Sequence, residues 1–162
     1  MVKVYRVSSA EETERIGAAL AELLDKNGID RAFIALFGEM GVGKTAFSRG
    51  FAGYLSIKSV KSPTYTVLNE YRGKRPVHHF DFYRITDGDD LYSIGYDDII
   101  EADGYSLGEW SENITDFLPE EKITVTIARV DTADDAYATL RDITVDLGNL
   151  NLEVVKDDNT DV

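Results

Sequence analysis

Ala32-Phe33-Ile34-Ala35-Leu36-Phe37 is an uninterrupted apolar run and reads as a buried strand. A short polar and glycine-rich stretch follows it. Phe47, Phe51, Tyr54 and Leu55 then fall at i, i+4, i+7 and i+8, the spacing of one helix face. Upstream, Val2 to Val7 predicts a short strand, and Ile16, Leu20, Leu23 and Leu24 mark a helical stripe. Ser9 suits the N-cap of that helix, with Glu12 at the third helical position completing a capping box, and Gly28 suits its C-terminal stop. Gly50 and Gly53 lie inside the helix after the buried strand. Each costs about 1 kcal/mol relative to alanine, so close packing against the sheet is expected there.

Farther along, Pro63 breaks Ser59 to Thr66. Val67 to Tyr71 and Val77 to Asp81 flank Arg72-Gly73-Lys74-Arg75-Pro76 and predict a β-hairpin or a pair of adjacent strands. Asp89 to Glu101 predicts a helix whose middle is weakened by Gly95 and the Asp97-Asp98 pair. Tyr105 to Trp110 predicts another short strand. Pro119 punctuates the loop after it. Ile123, Val125 and Ile127 alternate with threonines, and Ile143, Val145 and Leu147 alternate with Thr144 and Asp146. These are two half-exposed, antiparallel strands joined by the acidic loop around Asp131 to Asp135. Residues 1–150 thus form one α/β domain without internal repeats, and the polar end, Asn151 to Val162, is expected to fray.

Composition narrows the class. The 162 residues suffice for a real core, and with no cysteine there is neither a disulfide framework nor a thiolate metal site. No apolar run approaches the ~20 residues of a membrane span. Charged residues begin at Lys3 and Arg6, unlike a signal peptide, so a cytoplasmic location is expected. The formal net charge of −13 opposes binding of nucleic acid through the overall field. The charge is uneven. Lys58, Lys61, Arg72, Lys74, Arg75 and Arg84 cluster against only Glu70 and Asp81, whereas Ile85 to Glu121 holds no lysine or arginine. Two solvated faces of opposite sign account for this, as does docking between differently charged partners.

The stretch between the buried strand and the helix carries the chemistry. Gly38-Glu39-Met40-Gly41-Val42-Gly43-Lys44-Thr45 fits G-x-x-x-x-G-K-[ST], the phosphate-binding loop. Glycines let the backbone curl so that successive N–H groups face phosphate oxygens. Lys44 can reach the outer phosphates, and the Thr45 hydroxyl can ligate Mg²⁺. The helix N-terminus beneath adds its positive dipole end. Such a loop needs an acid at the end of a strand beside it. Asp81 and Glu109 both end predicted strands. His78 and His79 are neighbours on a strand, so they face opposite sides and do not readily share a metal; one is expected packed and the other exposed. Trp110, the only tryptophan, fits either the core or a cover over the nucleotide, with the core favoured.

Four blocks together resemble the TsaE (YjeE-like) family of ATPases of bacterial tRNA threonylcarbamoyladenosine biosynthesis. They are Gly38 to Phe51, Lys61-Ser62-Pro63-Thr64-Tyr65-Thr66, His79-Phe80-Asp81-Phe82-Tyr83-Arg84, and Glu109-Trp110. The loop alone is common to many enzymes; the other three are far more specific, and the similarity runs from about Ser9 to about Leu147. The resemblance implies a single-domain P-loop NTPase of the α/β class, with a central mixed sheet flanked by helices and a C-terminal antiparallel strand pair. It implies ATP and Mg²⁺ as cofactors, and TsaB-like and TsaD-like partner proteins, with tRNA engaged through the complex. ATP hydrolysis would reset or drive that complex. Gly38, Glu39, Met40, Gly41, Val42, Gly43, Lys44, Thr45 and Ala46 would bind nucleotide. Thr45 and Glu109 would hold Mg²⁺, Asp81 would serve hydrolysis through water or the metal shell, and Thr64 would act as a switch residue. Three departures stand out. Ala46 replaces the usual Thr or Ser. Tyr137-Ala138-Thr139-Leu140-Arg141 replaces a Gly-Arg before the last strand, which leaves the adenine contacts open. Gly108 replaces an apolar branched residue before Glu109 and is expected to loosen that strand.

Two other readings share the loop. A small-molecule or nucleoside kinase usually needs an arginine-rich lid, and no arginine lies between Arg84 and Arg129. A nucleotide-gated assembly module, in which hydrolysis is incidental, differs only in whether turnover is required. A GTPase is disfavoured because Asn-Lys-x-Asp is missing.

Overall fold

The computed structural model describes residues 1–61, 66–131, 139–150 and 152. Seven strands alternate with four α-helices: β1 (Val2–Val7), α1 (Ala10–Lys26), β2 (Arg31–Phe37), α2 (Lys44–Tyr54), β3 (Leu68–Arg72), β4 (Pro76–Asp81), α3 (Gly88–Ser93), α4 (Tyr96–Glu101), β5 (Gly104–Glu109), β6 (Ile123–Arg129) and β7 (Arg141–Asp146). A 3-10 segment, Ser111–Phe117, follows β5. The strands form one mixed sheet in the order β1-β7-β6-β2-β5-β4-β3. Its centre, β6-β2-β5-β4, is parallel, while β1 and β6 flank β7 antiparallel and β3 closes the other edge antiparallel to β4. The mixed sheet and the C-terminal antiparallel pair are as the sequence predicts.

β2 reads as continuous apolar chain because it feeds two cores. Ile34 and Leu36 face Phe47, Phe51 and Leu24 on the α1–α2 side. Phe33 and Ala35 face Phe80, Phe82 and Tyr96 on the α3–α4 side. A strand buried on both faces has no polar alternation. β6 and β7 alternate as expected, with Ile123, Val125, Ile127, Ile143 and Val145 buried.

Local signals explain the helix ends. The Ser9 hydroxyl accepts the Glu12 N–H at 3.2 Å, but the Glu12 carboxylate reaches back to the Ser8 N–H at 2.8 Å and not to that of Ser9. α1 ends in a Schellman turn. The Gly28 N–H bonds Asp25 and the Ile29 N–H bonds Leu24, and Gly28 takes φ +66°. The helix expected over Asp89 to Glu101 is two short helices. Gly95 at φ +73° ends one and caps the next.

The helix glycines serve a purpose other than the one predicted. A Cβ on Gly50 would lie 1.9 Å from the Glu14 carbonyl oxygen, and one on Gly17 would lie 2.1 Å from that of Phe47. Gly50 therefore packs against α1, not the sheet, and the two glycines let α1 and α2 cross with backbones in contact. A Cβ on Gly53 would meet nothing within 4 Å, so packing does not account for that glycine.

The expected acidic loop lies mostly outside the described residues, as do most of the expected frayed end and the Ser62–Tyr65 stretch. Among the described residues, no helix is long and apolar enough to cross a membrane.

Candidate functional site

The turn from β2 to α2 is shaped by its glycines. Gly38 has φ +148°, and a Cβ there would sit 2.5 Å from the Ile127 carbonyl oxygen. Gly43, at φ +120°, is the N-cap of α2. It has no side chain to cap the helix, and the first turn of α2 carries no acid. The amide groups at that end are left for an anion, which the helix dipole also favours.

Lys44 opens α2 and is buried. Its ammonium donates to the Gly38 carbonyl and lies 3.7 Å from the centre of the Trp110 ring. Burial pulls its pKa below the ordinary lysine value, opposed by the charges of Glu112, Glu109 and Asp81. Thr45 comes next, and its hydroxyl donates to Glu109 Oε1 at 3.3 Å. Glu109 ends β5, the parallel neighbour of β2, and is only 5% exposed.

Asp81 and Glu109 are register partners at the ends of β4 and β5. The structure thus separates two acids that strand-end position alone treats alike. Glu109 lies on the strand beside the loop strand, and Asp81 one strand farther out. Burial raises the Asp81 pKa above the usual carboxylate value. The Tyr83 N–H, which donates to it at 3.0 Å, works against that rise, and the negative charge of Glu109 adds to it.

Two neighbours of the site, His79 and Arg129, have no role in the sequence reading, and a third, Trp110, is favoured there as core. His79 is fully buried, with Nε2 2.6 Å from Glu109 Oε2. Neither histidine is exposed as expected, since His78 is 12% exposed and sits beside Glu70. The strand period contained the signal: residue 79 shares a face with residue 81. Trp110 adopts φ +59° and is half-buried; it packs on the α3–α4 core while its ring lies between Lys44 and Tyr83. It is therefore both core and site. Arg129, at the end of β6, donates to Glu39 Oε2 at 3.2 Å and to the Met40 carbonyl at 3.1 Å, holding the crest of the loop.

Gly108 does not loosen β5. Every residue of that strand is buried. A Cβ on Gly108 would meet the Phe82 ring at 2.7 Å and the Phe33 ring at 3.2 Å, and the Ser111 hydroxyl donates to its carbonyl at 2.7 Å. Neighbouring side chains fill the space that a branched residue would take. Ala46 is buried under the loop. Thr64 lies outside the described residues, as do Tyr137 and Ala138 of the segment before β7. The remaining predicted residues, Gly38 to Ala46, Asp81 and Glu109, converge at one end of the parallel strands, where ligands bind in open α/β sheets. The paired hydroxyl and carboxylate are hard oxygen donors of the kind that suit Mg²⁺. The loop glycines and bare helix end suit phosphate.

Known proteins resemble this chain in sequence and fold. Residues 7–137 match the family model described as threonylcarbamoyl adenosine biosynthesis protein TsaE. The match stops about ten residues short of the end of the resemblance read from the motifs. A Haemophilus influenzae protein named tRNA threonylcarbamoyladenosine biosynthesis protein TsaE is 39% identical over 125 residues, covering 75% of this chain and 77% of its own. The Bacillus subtilis protein of the same name is 35% identical over 127 residues, 77% of each chain. The crystal structure of Bacillus subtilis YdiB superposes with a TM-score of 0.69 at 29% identity, covering 92% of this chain and 88% of that one. With the family model spanning residues 7–137 and proteins of that name 35% and 39% identical over about three-quarters of its length, the chain belongs to the TsaE family.

Proposed function

We propose that the protein is the ATP-hydrolysing subunit of tRNA threonylcarbamoyladenosine modification, acting on a complex of TsaB-like and TsaD-like proteins. The observation that carries the reading is the Thr45–Glu109 contact at the phosphate loop, with Lys44 beside it and Asp81 on the next strand. The backbone N–H groups of residues 38–46 would hold the phosphates, and Lys44 would leave the Gly38 carbonyl to neutralise the outer ones. Thr45 and Glu109 would hold Mg²⁺, which when bound supplies charge neutralisation at the phosphates. Asp81, whose pKa is raised by burial, is suited to accept a hydrogen bond from the attacking water. The net charge of −13 favours a division of labour in which the partners hold tRNA.

Phosphate release from Mg-ATP tests this, measured with the chain alone and with its cognate TsaB-like and TsaD-like proteins. Weak release alone that rises with the pair is expected. Lys44→Ala and Glu109→Ala should each lower it by about a hundredfold or more, as for loss of one preorganised electrostatic group. No effect of the pair, together with phosphoryl transfer to a small acceptor, would replace this reading with a kinase.

A further inference from the structure

His79 is buried completely, although a histidine in a strand core leaves polar atoms to satisfy. Nδ1 is buried and has no hydrogen-bond partner among the described residues. Nε2 has one partner, Glu109 Oε2 at 2.6 Å. A carboxylate oxygen only accepts, so Nε2 carries the hydrogen in this bond. An apolar side chain would fill the same space without a stranded nitrogen, so packing alone does not account for the residue.

The bond has a geometric consequence for Glu109. A carboxylate is planar, so a bond to one oxygen restricts where the other can lie. With Oε2 held by His79, Oε1 is the oxygen that faces the Thr45 hydroxyl at 3.3 Å. The anchor is rigid, because β4 and β5 pair through His79 with Leu107 and through Asp81 with Glu109. We propose that His79 is the positioning residue for Glu109, holding Oε2 so that Oε1 alone is presented beside Thr45 to the divalent cation of the bound nucleotide. The inference rests on the Mg-nucleotide reading above and adds to it the residue that aims the ligand. Outer partners of this kind fix ligand orientation, and their loss typically costs about 10–100-fold in metal affinity.

The test uses the full chain, a non-hydrolysable ATP analogue, and Mn²⁺ as the spectroscopic cation. Two affinities are read separately: the analogue in EDTA, and Mn²⁺ on the analogue-loaded protein by electron paramagnetic resonance. His79→Leu should leave the first unchanged and weaken the second by about tenfold to a hundredfold. His79→Gln, whose amide N–H extends toward the position of Nε2, should recover most of the loss. Wild-type Mn²⁺ affinity in His79→Leu, or equal weakening of both affinities, would overturn the inference while leaving the nucleotide reading intact. Failure of the unsubstituted chain to bind the analogue at all would instead remove the nucleotide reading, and this inference with it. Should His79→Leu not fold, His79→Gln and His79→Asn make the same comparison. The shorter asparagine amide should lose Mn²⁺ affinity where glutamine keeps it, and equal affinities would refute the role.

Discussion

At the scale of single residues, the site is a set of charged groups withdrawn from water. Asp81 shows the energetic consequence. Burial, the first cause, makes its charged form less favourable in the fold than in the unfolded chain, so its pKa is raised. Below the ordinary carboxylate range both states hold the proton, and the group costs nothing. As pH rises through the raised native value, the fold must release a proton where charge is disfavoured, and stability is lost. Above the raised native value the protein carries that loss in full. Asp81→Asn removes it and keeps an acceptor for the Tyr83 N–H. In metal-free buffer the variant should therefore melt higher than the parent at about pH 7, and the gap should close toward about pH 3. A gap independent of pH would contradict the assignment. The same substitution should abolish hydrolysis while leaving nucleotide bound, which places function and stability in opposition at this position.

At the scale of elements, the loop is only as well placed as α2, and α2 is set by its crossing with α1. Gly17 and Gly50 put the two backbones in contact. Gly50→Ala would place a methyl 1.9 Å from the Glu14 carbonyl oxygen, a backbone atom that cannot swing aside. The helices must separate, at a cost of about 1–3 kcal/mol. Gly53, three residues on, is exposed and meets nothing. Gly53→Ala should stabilise by about 0.5–1 kcal/mol through helix propensity. Urea melts of the pair check this, and the same sign for both would refute the packing account. At the other side of the sheet, α3 begins with a related device. The Asp87 carboxylate caps the Asp90 N–H at 3.1 Å, and Asp90 reaches back to the Thr86 N–H at 3.1 Å, as Glu12 does to Ser8. In both places the returning acid bonds the residue before the cap.

At the scale of the whole molecule, the basic stretch is not one face. Arg84 follows Asp81 at the site end of the sheet. Lys74 lies in the turn before β4, at the opposite end, where its N–H bonds the Leu55 carbonyl. Arg75 is ion-paired with Asp25 and Asp30. Arg72 is exposed, as are three lysines, Lys58, Lys61 and Lys74. Reversing these three to glutamate should leave hydrolysis by the isolated chain unchanged. Modification in the reconstituted system should slow, and more so at low salt, where exposed charges are least screened. Unchanged modification would exclude this surface as a contact for tRNA or an acidic partner.

Much of this architecture was legible in the chain because it is written in local terms. The period of two in β6 and β7, the unbroken run of β2, the stripe of α1 and the spacing of the phosphate loop each follow from neighbours a few residues apart. Strand-end placement singled out Asp81 and Glu109 for the same reason. Strand order was not local, so strand-end position alone ranked the two acids equally, and only the sheet put β5 next to β2. Nor could spacing show that Gly50 meets another helix, that Phe82 and Phe33 fill the space at Gly108, or that Trp110 turns its ring to Lys44. The pairing of His79 with Glu109 joins residues 30 positions apart. Contacts of that kind depend on register and packing between elements, which come into being only when the sheet closes.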